Sequence, residues 1–326
     1  MIHCAIIGAG QIGSRHLQAL SHLEQQTRID LVDPSDESLQ TARSRYEEVI
    51  SSSKQGTELY CHPGLDDLPD TLDIVIVATN SVVREKVIRD VIQKRSVKNL
   101  ILEKVLFQKK NHYMAIDAFL KESSIPTWVN CWMRTADLFK QIKSALNLND
   151  PVQMKVAGPR WGMGTNSVHF MDLLSFFADC NDFKFTNVQL ENKVLDAKRE
   201  GFKEFTGRME GGNSRGDSLN LICKDEEDGP VTIEIQNGPK NFTLVTNFVD
   251  HFDFKSSNEL ASRLRKVSLP YQSEMTHIWV DDILTKGSCD LPTYANAMNL
   301  HLELIQVLTD HIQKFTGKEI DACPIT

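Results

Sequence analysis

The 326-residue sequence lacks long hydrophobic runs. Its most apolar stretches, such as residues 74–78, fall far short of the roughly 20 residues that span a bilayer, so no membrane helix is expected. An excess of positive charge is also missing. Thirty-six basic against 44 acidic residues leave a net charge of −8, which argues against nucleic acid or an anionic membrane as a non-specific partner. A few local cations still suffice for an anionic small molecule. The seven cysteines (Cys4, Cys61, Cys131, Cys180, Cys223, Cys289 and Cys323) are odd in number and never spaced Cys-x-x-Cys. Neither a disulfide framework nor a structural zinc site is therefore indicated, and reduced thiols in a cytoplasmic protein without a bound metal are expected. A strand pattern starts at residue 2, so no signal peptide is expected. Internal repeats and low-complexity tracts are absent from the sequence.

What is present is the profile of a soluble globular chain, 41% hydrophobic and 25% charged, long enough for two domains. The first third alternates strand patterns at 2–7, 28–32, 73–79, 99–103 and 127–131 with helical ones at 13–23, 36–49, 83–94 and 111–122. Several strands are apolar throughout, as in a parallel sheet covered on both faces, so a doubly wound α/β domain is expected over 1–132, with 51–56 a polar loop inside it. The pattern then changes. Helices are expected at 135–148 and 163–178, followed by strands at 187–195, 218–223, 231–236 and 242–247. The charged run 224–230 reads as a solvated hairpin tip. Successive strands imply an α+β domain over 133–326 with a mostly antiparallel sheet, closed by a long helix at 294–315 that Gly317 ends. A cleft is expected near the boundary.

The most informative motif is Gly8-Ala9-Gly10-Gln11-Ile12-Gly13, directly after the strand at 2–7 and directly before a helix. The first glycine permits a tight turn and the second lets the backbone approach a pyrophosphate. The third lets the helix sit against its strand, so that its first amides face the phosphates. A second apolar strand ends in Asp33, 20 positions beyond Gly13, where an acid can accept hydrogen bonds from the adenosine ribose. Gly8, Gly10, Gln11, Ile12, Gly13 and Asp33 are thus candidate dinucleotide contacts. Asp33 would repel a 2′-phosphate, so NAD is preferred over NADP, although Arg43 or Arg45 can swing in from the next helix. Thr79 and Asn80, just past one strand, and Glu103 and Lys104, at the end of the next, lie where open parallel sheets bind ligands. Lys104 can reach both a nicotinamide edge and a substrate hydroxyl; its bland alternative is a solvated cation at a strand end.

Downstream, a glycine-bearing loop feeds a helix that carries His169 and Asp172, three apart and so on one face. A histidine early in a helix with a carboxylate beside it is suited to acid–base work. Arg134, Arg160, Trp161 and Asn166 are candidate substrate contacts: the indole can stack on a sugar ring and an arginine can pair with a carboxylate or phosphate. Arginines paired to acidic residues at the domain junction are the equal alternative.

The run from Ala5 to His16, the pair Glu103-Lys104 and the segment His169-Phe170-Met171-Asp172 together resemble the Gfo/Idh/MocA family of sugar oxidoreductases, a likeness that extends to Leu291-Pro292-Thr293. The resemblance implies a Rossmann domain and a second domain with a large open sheet, whose outer face often builds a homodimer or homotetramer. It implies hydride transfer between NAD(P) and a hydroxyl- or carbonyl-bearing carbon of a sugar, cyclitol or nucleotide sugar. Lys104 matches the lysine of the family's Glu-Lys-Pro, while His169 and Asp172 match the last two members of its Asp-x-x-x-His-x-x-Asp. The roles implied are His169 as base, Lys104 as hydrogen-bond donor to the reacting oxygen, and Asp172 as orienter of the imidazole. Two departures stand out. Val105 replaces the proline, which often follows a cis peptide, and Thr165 replaces the first aspartate. Residues 279–282 and 291–293 look most like members in cell-surface sugar synthesis. The alternatives are a catalytically inactive, cofactor-binding regulator of the same fold, and an NAD-assisted glycosidase.

Overall fold

The computed structural model describes residues 1–50, 57–226, 228–246, 252–256 (backbone only) and 269–326. The polar loop expected at 51–56, Glu227 of the charged run and position 247 lie outside the described residues. The chain forms two compact units. One comprises Met1–Phe107, Met114–Asn130 and Pro270–Tyr294; the other comprises Gln108–Tyr113, Cys131–Leu269 and Ala295–Thr326.

The first unit is built from β1 (Ile2–Ile7), α1 (Gln11–Leu20), β2 (Thr27–Val32), α2 (Asp36–Glu47), β3 (Thr57–His62), β4 (Thr71–Leu72), β5 (Ile74–Val77), α3 (Arg84–Lys94), β6 (Ser96–Val97), β7 (Leu100–Leu102), α4 (Lys110–Ser123) from Met114 onward, and β8 (Thr127–Val129). Six of these strands form one sheet in the order β3-β2-β1-β5-β7-β8, and every pairing is parallel. The chain therefore winds outward from β1 to β3, returns to β5, and winds outward again. The reversal between β1 and β5 opens the crevice at which such sheets bind ligands. All residues of β5, β7 and β8 are buried, and all but Thr127 are apolar, as a sheet covered on both faces requires. β3 escaped the sequence reading. Thr57-Glu58-Leu59-Tyr60-Cys61-His62 alternates in exposure because, among the described residues, it lies at the sheet edge with β2 as its one neighbour.

The second unit contains a 3₁₀ turn (Trp132–Thr135), α5 (Asp137–Ala145), β9 (Val152–Pro159), α6 (Met163–Ala178), β10 (Lys184–Leu190), β11 (Leu195–Asp196), β12 (Lys203–Glu204), β13 (Gly207–Gly212), β14 (Ser218–Lys224), β15 (Val231–Asn237), β16 (Lys240–Thr246) and β17 (Phe252–Ser256). Its seven-stranded sheet runs β10-β13-β14-β9-β15-β16-β17 and is antiparallel except where β14 meets β9. α6 packs on β14 and β9 with Phe170, Leu173, Leu174 and Phe177 buried. The charged run 224–230 is not a hairpin tip. β14 and β15 flank β9, so the run crosses the end of that strand, where Gly158 makes room: a Cβ there would stand 2.9 Å from Val231 Cα. The helix expected at 135–148 is shorter: α5 spans Asp137–Ala145, and Thr135 closes the preceding 3₁₀ turn.

The chain ends with α7 (Thr276–Lys286) and α8 (Tyr294–Thr316). α7 belongs to the first unit, which thereby takes back a segment that a single cut after residue 132 assigns to the second domain. Trp279, Val280 and Ile283 of α7 are buried, and Val129 N–H donates to Pro292 O at 3.0 Å beside β8. Among the described residues no helix is long and apolar enough to cross a membrane.

Candidate active site

The glycine turn has the steric logic its sequence promises. Gly8 is left-handed (φ +105°), and a Cβ on it would stand 2.9 Å from Thr79 N. A Cβ on Gly13 would stand 1.8 Å from Gly8 O, so only glycine lets α1 lie against the turn. At Gly10 a Cβ would meet nothing within 4 Å. The open space faces a helix start with no side-chain cap, since Gly10 is itself the N-cap, and Gly10, Gln11 and Ile12 are exposed. Free first-turn amides beside a cradle that a side chain would fill fit a pyrophosphate. Asp33 is fixed beside it: Oδ2 accepts Ala9 N–H at 2.8 Å and Oδ1 accepts Ser35 N–H at 2.9 Å. The residues present therefore fit NAD. Arg45 is engaged on α1, where its Nη1 donates to Gln11 Oε1 (3.0 Å) and Ser14 Oγ (2.8 Å).

Across the switch point, Thr79 Oγ1 is buried with no hydrogen-bond partner among the described residues. Asn80 Oδ1 accepts Val82 N–H at 3.0 Å and shapes the entry to α3. Glu103, just past β7, is buried and heavily anchored. His16 Nε2 lies 2.9 Å from its Oε1, and Asn130 Nδ2 donates to the same oxygen. His16 Nδ1 in turn lies 2.8 Å from Thr276 Oγ1, and Asn130 donates to Gln272 Oε1 at 2.9 Å. Burial pushes the Glu103 carboxyl up, but the hydrogen bonds from His16 and Asn130 and the charge of Arg84 outweigh it and hold it below the usual carboxylate range. The Lys104–Val105 peptide is cis, so the proline's absence does not make this bond trans. Arg84, buried in α3, donates to Thr79 O, Val105 O and Leu106 O (the last at 3.0 Å) and staples together the loops that follow β5 and β7.

None of these anchors was singled out from the sequence. His16 carried a signal, a polar residue among the buried positions of an amphipathic helix. Gln272 and Thr276, more than 250 positions from His16, carried none.

In the second unit α6 follows Gly162, a left-handed glycine (φ +79°). His169 is buried, edge-on to Trp132 with ring centroids 6.3 Å apart. Asp172 Oδ1 accepts from Arg134 Nη1 at 3.1 Å, and Oδ2 has no partner among the described residues. Burial pushes the Asp172 carboxyl up to about 7, against the opposing pull of Arg134. Arg134 also lies 5.0 Å from the Phe176 ring centroid. Arg160 pairs with Asp225 at 2.8 Å. Trp161, expected to stack on a sugar ring, is only 5% exposed. Its indole N–H donates to Ile222 O at 2.9 Å and its ring meets Phe170 edge-on at 5.4 Å, so it is a core residue. Asn166 Nδ2 donates to Trp161 O at 2.7 Å.

Residues 2–130 match the model of an oxidoreductase family with an NAD-binding Rossmann fold. Fold and glycine turn thus define the class: an NAD-binding oxidoreductase. The matching model is that of the Gfo/Idh/MocA family, and the match lies in this N-terminal domain. Solved structures share the fold over nearly the whole chain. An oxidoreductase from Agrobacterium radiobacter in complex with NAD+, L-tartaric acid and magnesium is 13% identical, with 98% of each chain covered and a TM-score of 0.68. The WlbA dehydrogenase from Bordetella pertussis in complex with NADH and UDP-GlcNAcA is 15% identical, with 94% of each chain covered and a TM-score of 0.66. A super-repressor mutant of Gal80p from Saccharomyces cerevisiae is 15% identical, covering 98% of this chain and 97% of that one, with a TM-score of 0.65. No curated protein matches the sequence.

Proposed function

We propose that this protein interconverts a hydroxyl and a carbonyl on a sugar, cyclitol or nucleotide sugar, with NAD as redox partner. The observation that carries the reading is the Glu103–Lys104 corner. A lysine follows a buried, multiply anchored glutamate at the carboxyl end of β7, the sheet end where the glycine turn also lies. When bound, NAD supplies the hydride acceptor or donor. In this reading the Lys104 ammonium donates a hydrogen bond to the reacting oxygen, where negative charge develops, and the stiff anchoring of Glu103 limits its reorganisation. His169 takes the proton of the substrate hydroxyl in oxidation and returns it in reduction, a role worth about 10²–10⁴-fold. Asp172, a carboxyl that titrates near neutrality, backs the imidazole. Arg134 and Asn166 remain the proposed substrate contacts. Arg160 and Trp161 are committed to Asp225 and to the core.

Asp33, held at the end of β2 by two backbone amides, supports NAD over NADP. The nucleotide-sugar complex of WlbA supports the substrate class, and the resemblance of residues 279–282 and 291–293 supports a place in surface-polysaccharide sugar synthesis. The free thiols fit a reducing cytoplasm, and the family resemblance supports a homodimer or homotetramer. The test is production of reduced nicotinamide from a panel of sugars and nucleotide sugars, with sedimentation giving the assembly. Turnover by one class is expected. The likeness to Gal80p and the threonine at 165 favour a second reading, a cofactor-binding regulator. Tight NADH binding with no turnover on the whole panel would support it. Release of free sugar without net NADH would instead identify an NAD-assisted glycosidase.

A further inference from the structure

The start of α6 is held by a residue from a distant strand. Glu204, the last residue of β12, accepts Gly164 N–H on Oε2 at 2.7 Å and the Thr165 hydroxyl on Oε1. The helix has no cap from its own sequence: Gly162 has no side chain, and the Asn166 amide donates to the Trp161 carbonyl. First-turn amides require acceptors, and a carboxylate is the acceptor that a helix N-terminus favours. The fit is close, because a Cβ on Gly162 would stand 3.3 Å from Glu204 Oε1 and one on Gly164 3.1 Å from Oε2. The arm that delivers the carboxylate is itself fixed. Lys203 N–H donates to Pro324 O at 2.7 Å, β12 pairs with β11, and Phe205 is buried beside it.

Thr165, His169 and Asp172 stand at i, i+4 and i+7 on α6, one face of the helix. The residue that Glu204 grips is therefore the head of the face that carries the proposed base. We propose that Glu204 is a positioning residue for His169: by fixing the first turn of α6 it sets the height and rotation at which the imidazole is presented. This inference rests on the reading of His169 as the base. It also gives the threonine at 165 a physical role. The carboxylate that position 165 lacks arrives from β12, and the hydroxyl is the handle it holds.

The test uses the full chain with Glu204→Ala, Glu204→Gln and Thr165→Val, reading kcat and KM, NADH affinity, melting temperature and the ring-nitrogen NMR signals of His169, assigned through His169→Asn. A shift of an ångström in a reacting group can cost about 10²-fold in rate. Glu204→Ala is accordingly expected to lower kcat about 10- to 100-fold with NADH affinity unchanged and the His169 signals displaced. Thr165→Val should displace them in the same direction, and Glu204→Gln, which keeps one acceptor oxygen, should fall between. A lowered melting temperature with kcat and the His169 signals at wild-type values would reduce Glu204 to a helix cap and overturn the inference. Should Glu204→Ala fail to fold, Thr165→Val, which leaves the carboxylate on Gly164, decides in the same way. Should the wild type turn over no substrate, the dehydrogenase reading fails separately, and displacement or constancy of the His169 signals still supports or overturns the positioning role.

Discussion

Asp172 shows how burial alone can give a residue a chemistry its sequence does not announce. Its carboxyl rises from 3.8 to about 7, so between those values the folded protein holds a proton that the unfolded chain has released. Stability therefore falls as pH rises through that window and levels above it. Asp172→Asn abolishes this titration while keeping an acceptor toward Arg134. Urea midpoints across the window are expected to show the wild type losing up to a few kcal/mol relative to the variant as pH rises. Equal slopes would contradict the assignment. Lys104→Ala removes the ammonium but leaves Glu103 on His16 and Asn130. It is expected to cut turnover about 10²–10³-fold with NADH binding intact, read by steady-state kinetics and fluorescence titration. The pair Glu103-Lys104 was legible because both residues are adjacent in sequence and end an apolar strand. Its anchors were not, because His16 and Thr276 are separated by 260 positions. Trp161 was misread for a related reason: an aromatic beside an arginine looks the same whether it lines a cleft or fills a core.

At the scale of elements, the two glycines that flank Gln11 and Ile12 separate ligand binding from folding. Gly10 has φ −66° and open space where a Cβ would project, so Gly10→Ala should leave stability within about 0.5 kcal/mol of wild type and still weaken NADH binding. Gly13→Ala instead drives a methyl into Gly8 O and should lower both the melting temperature and NADH affinity. Thermal melts beside a titration distinguish the two, and equal effects at both positions would refute the cradle. Strands of the parallel sheet were readable wherever they are buried on both faces, since apolar runs without alternation have one physical explanation. β3, β9 and β13 were missed: an edge strand is half polar, β9 mixes Gln153 and Lys155 with its core residues, and β13 is Gly207-Arg208-Met209-Glu210-Gly211-Gly212, with almost no apolar signal. The connection from β14 to β15 was misread because turn chemistry reports that a chain reverses, not which strand it passes on the way.

For the whole molecule, the Rossmann unit was legible from its first 33 residues because motif, strand order and helix order all constrain one another. The return of residues 270–294 to that unit was not, because it depends on side chains meeting across the length of the chain. Ligand linkage provides a check at this scale. A hundredfold excess of NADH over its Kd is expected to stabilise the protein by about 2.7 kcal/mol, seen as a rise in melting temperature, and Gly10→Ala should lose most of it. The most direct measurement is isotopic. With the substrate identified, deuterium at its reacting carbon is followed into the nicotinamide for wild type, Lys104→Ala and His169→Asn. The label is expected in the reduced cofactor at a rate that each substitution slows about 10²–10⁴-fold without loss of NADH affinity. Reduced cofactor that carries no label, or both variants transferring it at the wild-type rate, would contradict the roles assigned to these two side chains.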